Sequence, residues 1–432
     1  MKKLMLLTLA FLIIFSCTKD DDPLSPNDPP QDETITAQNI FDFRNANLNF
    51  ASDIFKEIVD QSVTNDNIMI SPISISIAFA MLNNGAANNT KSQIKEVLGY
   101  GQVPDYCVNN LFLQLANKLD SLNNIIDLGL ANSAWFDNDF PVRDTYVDLT
   151  KDYFDAEIRN LDLDQTASID TINAWVSEKT EGKIEEILDY AAVGAEFFLV
   201  NAINFQGFWK FPFDADATEN RRFYAEDGTF NLVPTMIDTG INEDAPSLKF
   251  EYFYGDSVRA VKMPYGNPDS KEGKDVSMYV FVPTGILEDF IGTKLTVENW
   301  NIWMNSFKTF DQQFPEFENE FNFSMPKFKF GFESNLIPIL QALGMTDAFI
   351  EGLADFSGMT EAWQSLFIGL VKHKSFIDVN EEGTSAAAVT IIGGYDSEIP
   401  PEFRVDKPFF FAIRDDLTGT ILFMGQVYDP QY

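Results

Sequence analysis

Histidine and cysteine are nearly missing from this chain. One histidine, His373, and two cysteines, Cys17 and Cys107, stand among 432 residues. That excludes a His-rich zinc site, weakens any Ser-His-Asp reading and rules out a disulfide framework. A nucleophilic Cys107 would need His373 as its base, and His373 lies in a strand-like segment, so a structural role is expected for Cys107. Nucleophile-elbow and metal-ligand motifs are also lacking, so no enzyme activity, cofactor or metal is expected. Basic residues are scarce: 30 Lys and Arg face 66 Asp and Glu, a formal net charge of -36. Phosphate backbones would be repelled, which excludes nucleic acid as a partner. The acidic residues are scattered rather than set at calcium-loop spacing, so they build a solvated surface. No internal repeat of 20–50 residues and no coiled-coil heptads occur.

What is present begins with the N-terminus. Lys2 and Lys3 precede an apolar run from Leu4 to Phe15, too short to span a bilayer comfortably and built like the h-region of a secretory signal. The run ends Ile14-Phe15-Ser16-Cys17, which resembles the lipobox of bacterial lipoproteins despite an imperfect Phe15. The resemblance implies that residues 1–16 are removed and that Cys17 is acylated. Asp20, Asp21 and Asp22, followed by Pro23, Pro26, Pro29 and Pro30, make a polar stretch that buries too little surface to order itself, so residues 17–40 read as a tether. Cys17 to Asp22 also resembles the acidic export signal of some Bacteroidetes lipoproteins. An exported protein, lipid-anchored to the outer membrane and facing the extracellular space, is the expectation.

The remaining chain, 41–432, reads as one α+β domain. Leu48, Ala51, Phe55 and Ile58 recur at helical spacing. Ser71-Pro72 opens a helix that is apolar nearly all round and ends at Gly85, the pattern of a buried helix. Leu128, Leu130, Asn132, Ala134 and Phe136 alternate as in a strand; Ile172, Trp175, Val176 and Lys179 read as a helix, and Phe197–Ile203 as a buried strand. Strands then dominate: Val276–Val282, Phe321–Phe330, Leu366–Val379, Phe409–Ile413 and Ile421–Val427, with Asp415–Gly419 as a hairpin connection. Ser334 is read as the N-cap of a helix ending by Gly344. Early helices and late strands point to one mixed domain with 45% hydrophobic residues to fill its core.

Five ordered stretches resemble serpins, from about residue 43 onward. They are Asn67–Ser74 continuing through Gly85-Ala86-Ala87 to Thr90–Ile94, then Asn201–Trp209, Met325–Phe328, Asp378–Thr384, and Lys407–Arg414 with Thr418–Gly425. Gln206 departs from the pattern, which usually carries lysine there. The resemblance implies helices packed around a large central β-sheet plus two further sheets, with an exposed reactive loop at about 381–401. It also implies a suicide-substrate mechanism: a serine protease cleaves the loop to an acyl-enzyme, and the freed loop enters the main sheet as a new strand. The partner would be the trapped protease, held covalently by a monomeric inhibitor. Heparin activation is not expected, because Lys118 is the only basic residue of 101–127.

By the same pattern Glu381, Glu382, Gly383, Thr384, Ser385, Ala386, Ala387 and Ala388 form the hinge of the loop. Thr384, Ala386, Ala388, Thr390 and Ile392 would face the core after insertion, and none carries a charge. Counting 16 residues from Glu381 places the reactive bond between Ser397 and Glu398, with Tyr395 and Asp396 as alternative cleavage positions. A small Ser397 addresses an elastase-like enzyme; cleavage after Tyr395 would suit chymotrypsin- or subtilisin-like enzymes. Ser71, Ser74, Asn201 and His373 would form a polar cluster beneath the sheet's opening. Trp209 and a Glu381–Lys327 ion pair would mark the loop-entry end. The alternative function is a non-inhibitory member acting as a surface binding or chaperone-like protein, and Gly393-Gly394 would favour it if these glycines slow insertion.

Overall fold

The computed structural model describes residues 34–432 apart from 63–64, 122–125, 239–248, 269–274, 316–321 and 385–401. Helix α1 spans Ala37–Gln61 and opens on a capping box: Asn39 N–H donates to Thr36 Oγ1 (3.1 Å) and Thr36 N–H donates to Asn39 Oδ1 (3.0 Å). Residues 37–40, assigned above to the tether, are therefore the first turn of the folded unit. The box uses asparagine where glutamate or glutamine is usual, which hid it in the sequence. Ala51, Phe55 and Ile58 are buried as the spacing predicts, and Leu48 packs partly buried against the core. Helix α2 spans Pro72–Gly85 with Ser71 as its N-cap and Pro72 in its first turn. Every residue in it except Asn84 is buried. Helices α3 (Asn88–Val97), α4 (Asp105–Asp120), α5 (Asp144–Phe154) and α6 (Thr166–Lys179) follow.

The strands in chain order are β1 (Ile68–Ile70), β2 (Ile126–Asp137), β3 (Glu157–Leu161), β4 (Phe197–Phe208), β5 (Glu219–Tyr224), β6 (Phe230–Asp238), β7 (Glu251–Tyr254), β8 (Val258–Pro264) and β9 (Val276–Pro283). After them come β10 (Lys308–Thr309), β11 (Asn322–Pro326), β12 (Phe328–Asn335), β13 (Leu370–Val379), β14 (Gly383–Thr384), β15 (Glu402–Arg404), β16 (Phe409–Asp415) and β17 (Ile421–Val427). They form a six-stranded sheet in the order β12-β13-β14-β4-β2-β3, a seven-stranded sheet β1-β17-β16-β9-β8-β7-β10, and a four-stranded sheet β15-β11-β6-β5. Fold class and the three sheets agree with the sequence reading.

The six-stranded sheet is buried on both faces where β2 and β4 run together. Trp135, Phe198, Val200 and Ala202 pack against Ile169, Ile172 and Val176 of α6 on one face. Phe136, Phe197, Leu199 and Ile203 belong to the main core on the other. That double cover explains why Phe197–Ile203 reads as a continuous apolar run rather than an alternation.

Three boundaries differ from the sequence reading. The stretch expected as one strand over Phe321–Phe330 divides at Lys327, and its halves β11 and β12 belong to different sheets. Ser334 is not a helix cap: it lies in β12 opposite His373, and the following helix, Ile337–Ala342, is capped at Leu336 with a proline in its first turn. The strand expected from Leu366 begins at Leu370, because Trp363–Ser365 forms a 3₁₀ turn whose Trp363 carbonyl takes the Leu366 N–H.

Candidate functional site

The upper end of the six-stranded sheet is organised by Trp209, which follows β4 and is fully buried. Its ring stacks on Tyr265 (centroids 4.6 Å apart), and its Nε1–H donates to the Asn380 carbonyl (2.9 Å). Its backbone N–H donates to the Glu382 carbonyl (2.8 Å), and Phe213 N–H donates to that of Glu381 (2.9 Å). The turn after β13 is thus fastened from below. Glu381 is buried; its Oε2 meets Lys327 Nζ at 2.9 Å and its Oε1 accepts from Thr218 Oγ1 at 2.7 Å. Burial alone would raise the Glu381 carboxyl, but the hydrogen bonds from Thr218 and Lys327 outweigh it and hold it below the usual range. Removing one partner from a pair this buried costs about 3–5 kcal/mol.

Gly383 and Thr384, expected in the hinge, form β14 and sit in the sheet. Gly383 pairs with Phe208, and Thr384 pairs with Gly207 on β4 and Val379 on β13. Gly383 has a φ of +151°, and a Cβ there would stand 2.1 Å from the Gly207 carbonyl oxygen, so only glycine fits. Lower down, β13 and β4 pair directly and in parallel, from Leu370 opposite Phe198 to Lys374 opposite Ala202. Between those two pairings, among the described residues, 203–206 of β4 and 375–378 of β13 make no ladder contact with each other. Four residues of strand span about 13 Å. The seam is closed below, bridged above and open between.

The polar cluster lies at the lower edge of that opening, where His373 and Asn201 are register partners. Ser71 N–H donates to His373 Nε2 (3.3 Å), so the ring proton sits on Nδ1 and is donated to Asn201 Oδ1 (2.9 Å). Asn201 Nδ2 donates to Ser74 Oγ and to Asn132 Oδ1 (2.7 Å). Ser74 N–H donates in turn to Ser71 Oγ (3.3 Å). Ser71, Ser74, Asn132, Asn201 and His373 are all buried. Burial pushes the His373 pKa down to about 3, so the ring is neutral.

All four cluster residues named from the sequence are brought together, as are Trp209, Lys327 and Glu381. Asn132 and Thr218 were missed. Asn132 is the polar member of the alternation Leu128–Phe136, and that interruption was the available signal; Thr218, in the turn before β5, offered none. Cys107 is buried in α4 within the core, and no cluster of metal-ligating side chains occurs among the described residues. Cys17, Ser385, Ala386, Ala387, Ala388, Tyr395, Asp396, Ser397 and Glu398 lie outside the described residues. Strand β15 opens at Glu402, whose carboxylate takes Ser324 Oγ (2.7 Å), Arg404 Nε (2.7 Å) and Arg221 (2.5 Å).

The six-stranded sheet thus carries Gly383 and Thr384 in the seam between β4 and β13, above a stretch where those two strands do not pair with each other. The chain belongs to the serpin family: the model of that family, described as serpin (serine protease inhibitor), matches residues 45–430. It is 33% identical over 452 residues to an uncharacterized serpin-like protein of Methanosarcina acetivorans, covering all of both chains. It is 32% identical over 400 residues to the leukocyte elastase inhibitor of Equus caballus, covering 89% of this chain and 98% of that one. Among solved structures it resembles the thermophilic serpin tengpin in the native state, with a TM-score of 0.77 and 27% identity over 93% of this chain and 97% of the other.

Proposed function

We propose that the chain is a suicide-substrate inhibitor of serine proteases of the elastase kind, cut between Ser397 and Glu398. The observation that carries this reading is the hinge: Gly383 and Thr384 pair between β4 and β13 directly above an unpaired stretch of the seam. A strand seated at its first residues needs only to extend downward to complete the sheet. Each new residue then exchanges hydrogen bonds to water for ladder bonds and buries its inward side chain. The uncharged inward positions Ala386, Ala388, Thr390 and Ile392 suit that burial. Insertion carries the acylated protease away from the loop entry before water can release it.

The small side chain of Ser397 supports a shallow specificity pocket, and the likeness to a protein named leukocyte elastase inhibitor points the same way. No Arg or Lys lies between Lys374 and Arg404, so a trypsin-like enzyme finds no suitable residue. Incubation with an elastase should give an SDS-stable covalent complex and a released peptide beginning at Glu398. A peptide beginning at Asp396 or Ser397 would move the bond, and cleavage without any complex would favour the binding or chaperone-like alternative. We place the inhibitor on the outer surface of its cell, anchored through acylated Cys17.

A further inference from the structure

Lys327 has a second partner besides Glu381. Its Nζ lies 3.9 Å from the centroid of the Tyr432 ring, so the ammonium is held between a carboxylate and an aromatic face. An ammonium largely withdrawn from water gains from the negative face of a ring at this distance. Tyr432 is set there by its neighbour, since Lys329 N–H donates to the Gln431 carbonyl (2.8 Å). Its hydroxyl accepts a long hydrogen bond from Asn380 Nδ2 (3.5 Å). Asn380 is the residue whose carbonyl receives Trp209 Nε1–H and whose Oδ1 receives Glu382 N–H (3.1 Å). One side chain therefore touches two members, Lys327 and Asn380, of the network that fastens the turn from which the hinge departs. Tyr432 is itself 52% exposed, so the core does not depend on it.

We propose that Tyr432 is a positioning residue for the hinge. Its ring presses the Lys327 ammonium against Glu381, keeping the Asn380–Gly383 turn fixed and Gly383–Thr384 paired before the loop is cut. The consequence for inhibition rests on the reading above: a seated hinge is the end from which the inserted strand grows. A loosened turn delays that growth, so more acyl-enzyme is hydrolysed first and more inhibitor is consumed per protease trapped.

Four forms of the full chain test this: the parent, Tyr432→Phe, Tyr432→Leu and Tyr432→Ala. Native-state hydrogen exchange is read at the amides of Trp209, Phe213 and Gly383, which donate to the carbonyls of Glu382, Glu381 and Asn380. Exchange there should be about five- to tenfold faster in the Leu and Ala variants and parental in Phe, with amides of β16 unchanged as the reference. Leucine covers similar apolar surface without a ring face. Parental exchange in Tyr432→Leu, or equal acceleration at β16, overturns the proposal. The number of molecules consumed per elastase trapped should rise in the same two variants and not in Phe. If the parent forms no covalent complex, the inhibitory reading fails, while the exchange measurement still decides whether Tyr432 fixes the turn.

Discussion

Both ring nitrogens of His373 are committed to neutral partners, one donating to Asn201 and the other accepting from Ser71. An imidazolium would present a second donor to the Ser71 N–H, and burial already pushes the His373 pKa down to about 3, below the ordinary 6.5. The unfolded chain therefore takes up the proton first, and stability should fall as pH drops from 6.5 toward 3 and stay level above. Between pH 7.5 and 5.5 the loss from this one group should be about 1.4 kcal/mol, read as a shift in urea midpoint. The buried carboxylates Glu381 and Glu402, both held below their usual range, add their own loss only at lower pH. A Gln variant at 373 should lose the share of the slope that His373 supplies. An unchanged slope in that variant would remove His373 from the account. The cluster was legible because Ser71, Ser74 and Asn201 fall inside recognisable stretches and His373 is the single histidine of the chain; Asn132 was not, because a strand pattern shows which face a residue takes but not what meets it there.

Among elements, β14 contributes most with only two residues. Its pairing on both sides fixes the register for whatever extends from it, and the steric limit at Gly383 fixes the path by which the chain arrives. Thr384→Arg should leave the loop cleavable but abolish SDS-stable complexes, since insertion would then draw an unpaired charge into the core. Complexes that persist in the Arg variant would show the inserted register to be shifted by one residue. The seating of β14 could not be read from sequence, where residues 381–401 form one continuous loop region. The division of β11 from β12 escaped for a related reason. Apolar residues alternate on both sides of Lys327, and which sheet each half joins is decided by pairing with β6, earlier in the chain, and with β13, later in it, not by local propensity. Pro326, which cannot donate to a ladder, was the local mark of the break.

At the scale of the whole molecule, the surface is strongly acidic and no described helix is long and apolar enough to cross a membrane. In the proposed location, membrane attachment rests on acylated Cys17. Cys17→Ser should release the protein from the membrane fraction, since the Asp- and Pro-rich stretch after it has no apolar face of its own. Fatty-acid labelling that leaves Cys17 unmodified would end the anchoring proposal. The seam between β4 and β13 has a further consequence under the proposed mechanism. It has room for a single strand, and that strand can come from the chain only once. Each molecule is then a counter that registers one event and stops. Protection of the cell surface would follow the number of unspent copies, with a sharp threshold where protease outnumbers them, rather than the graded saturation of a reversible binder.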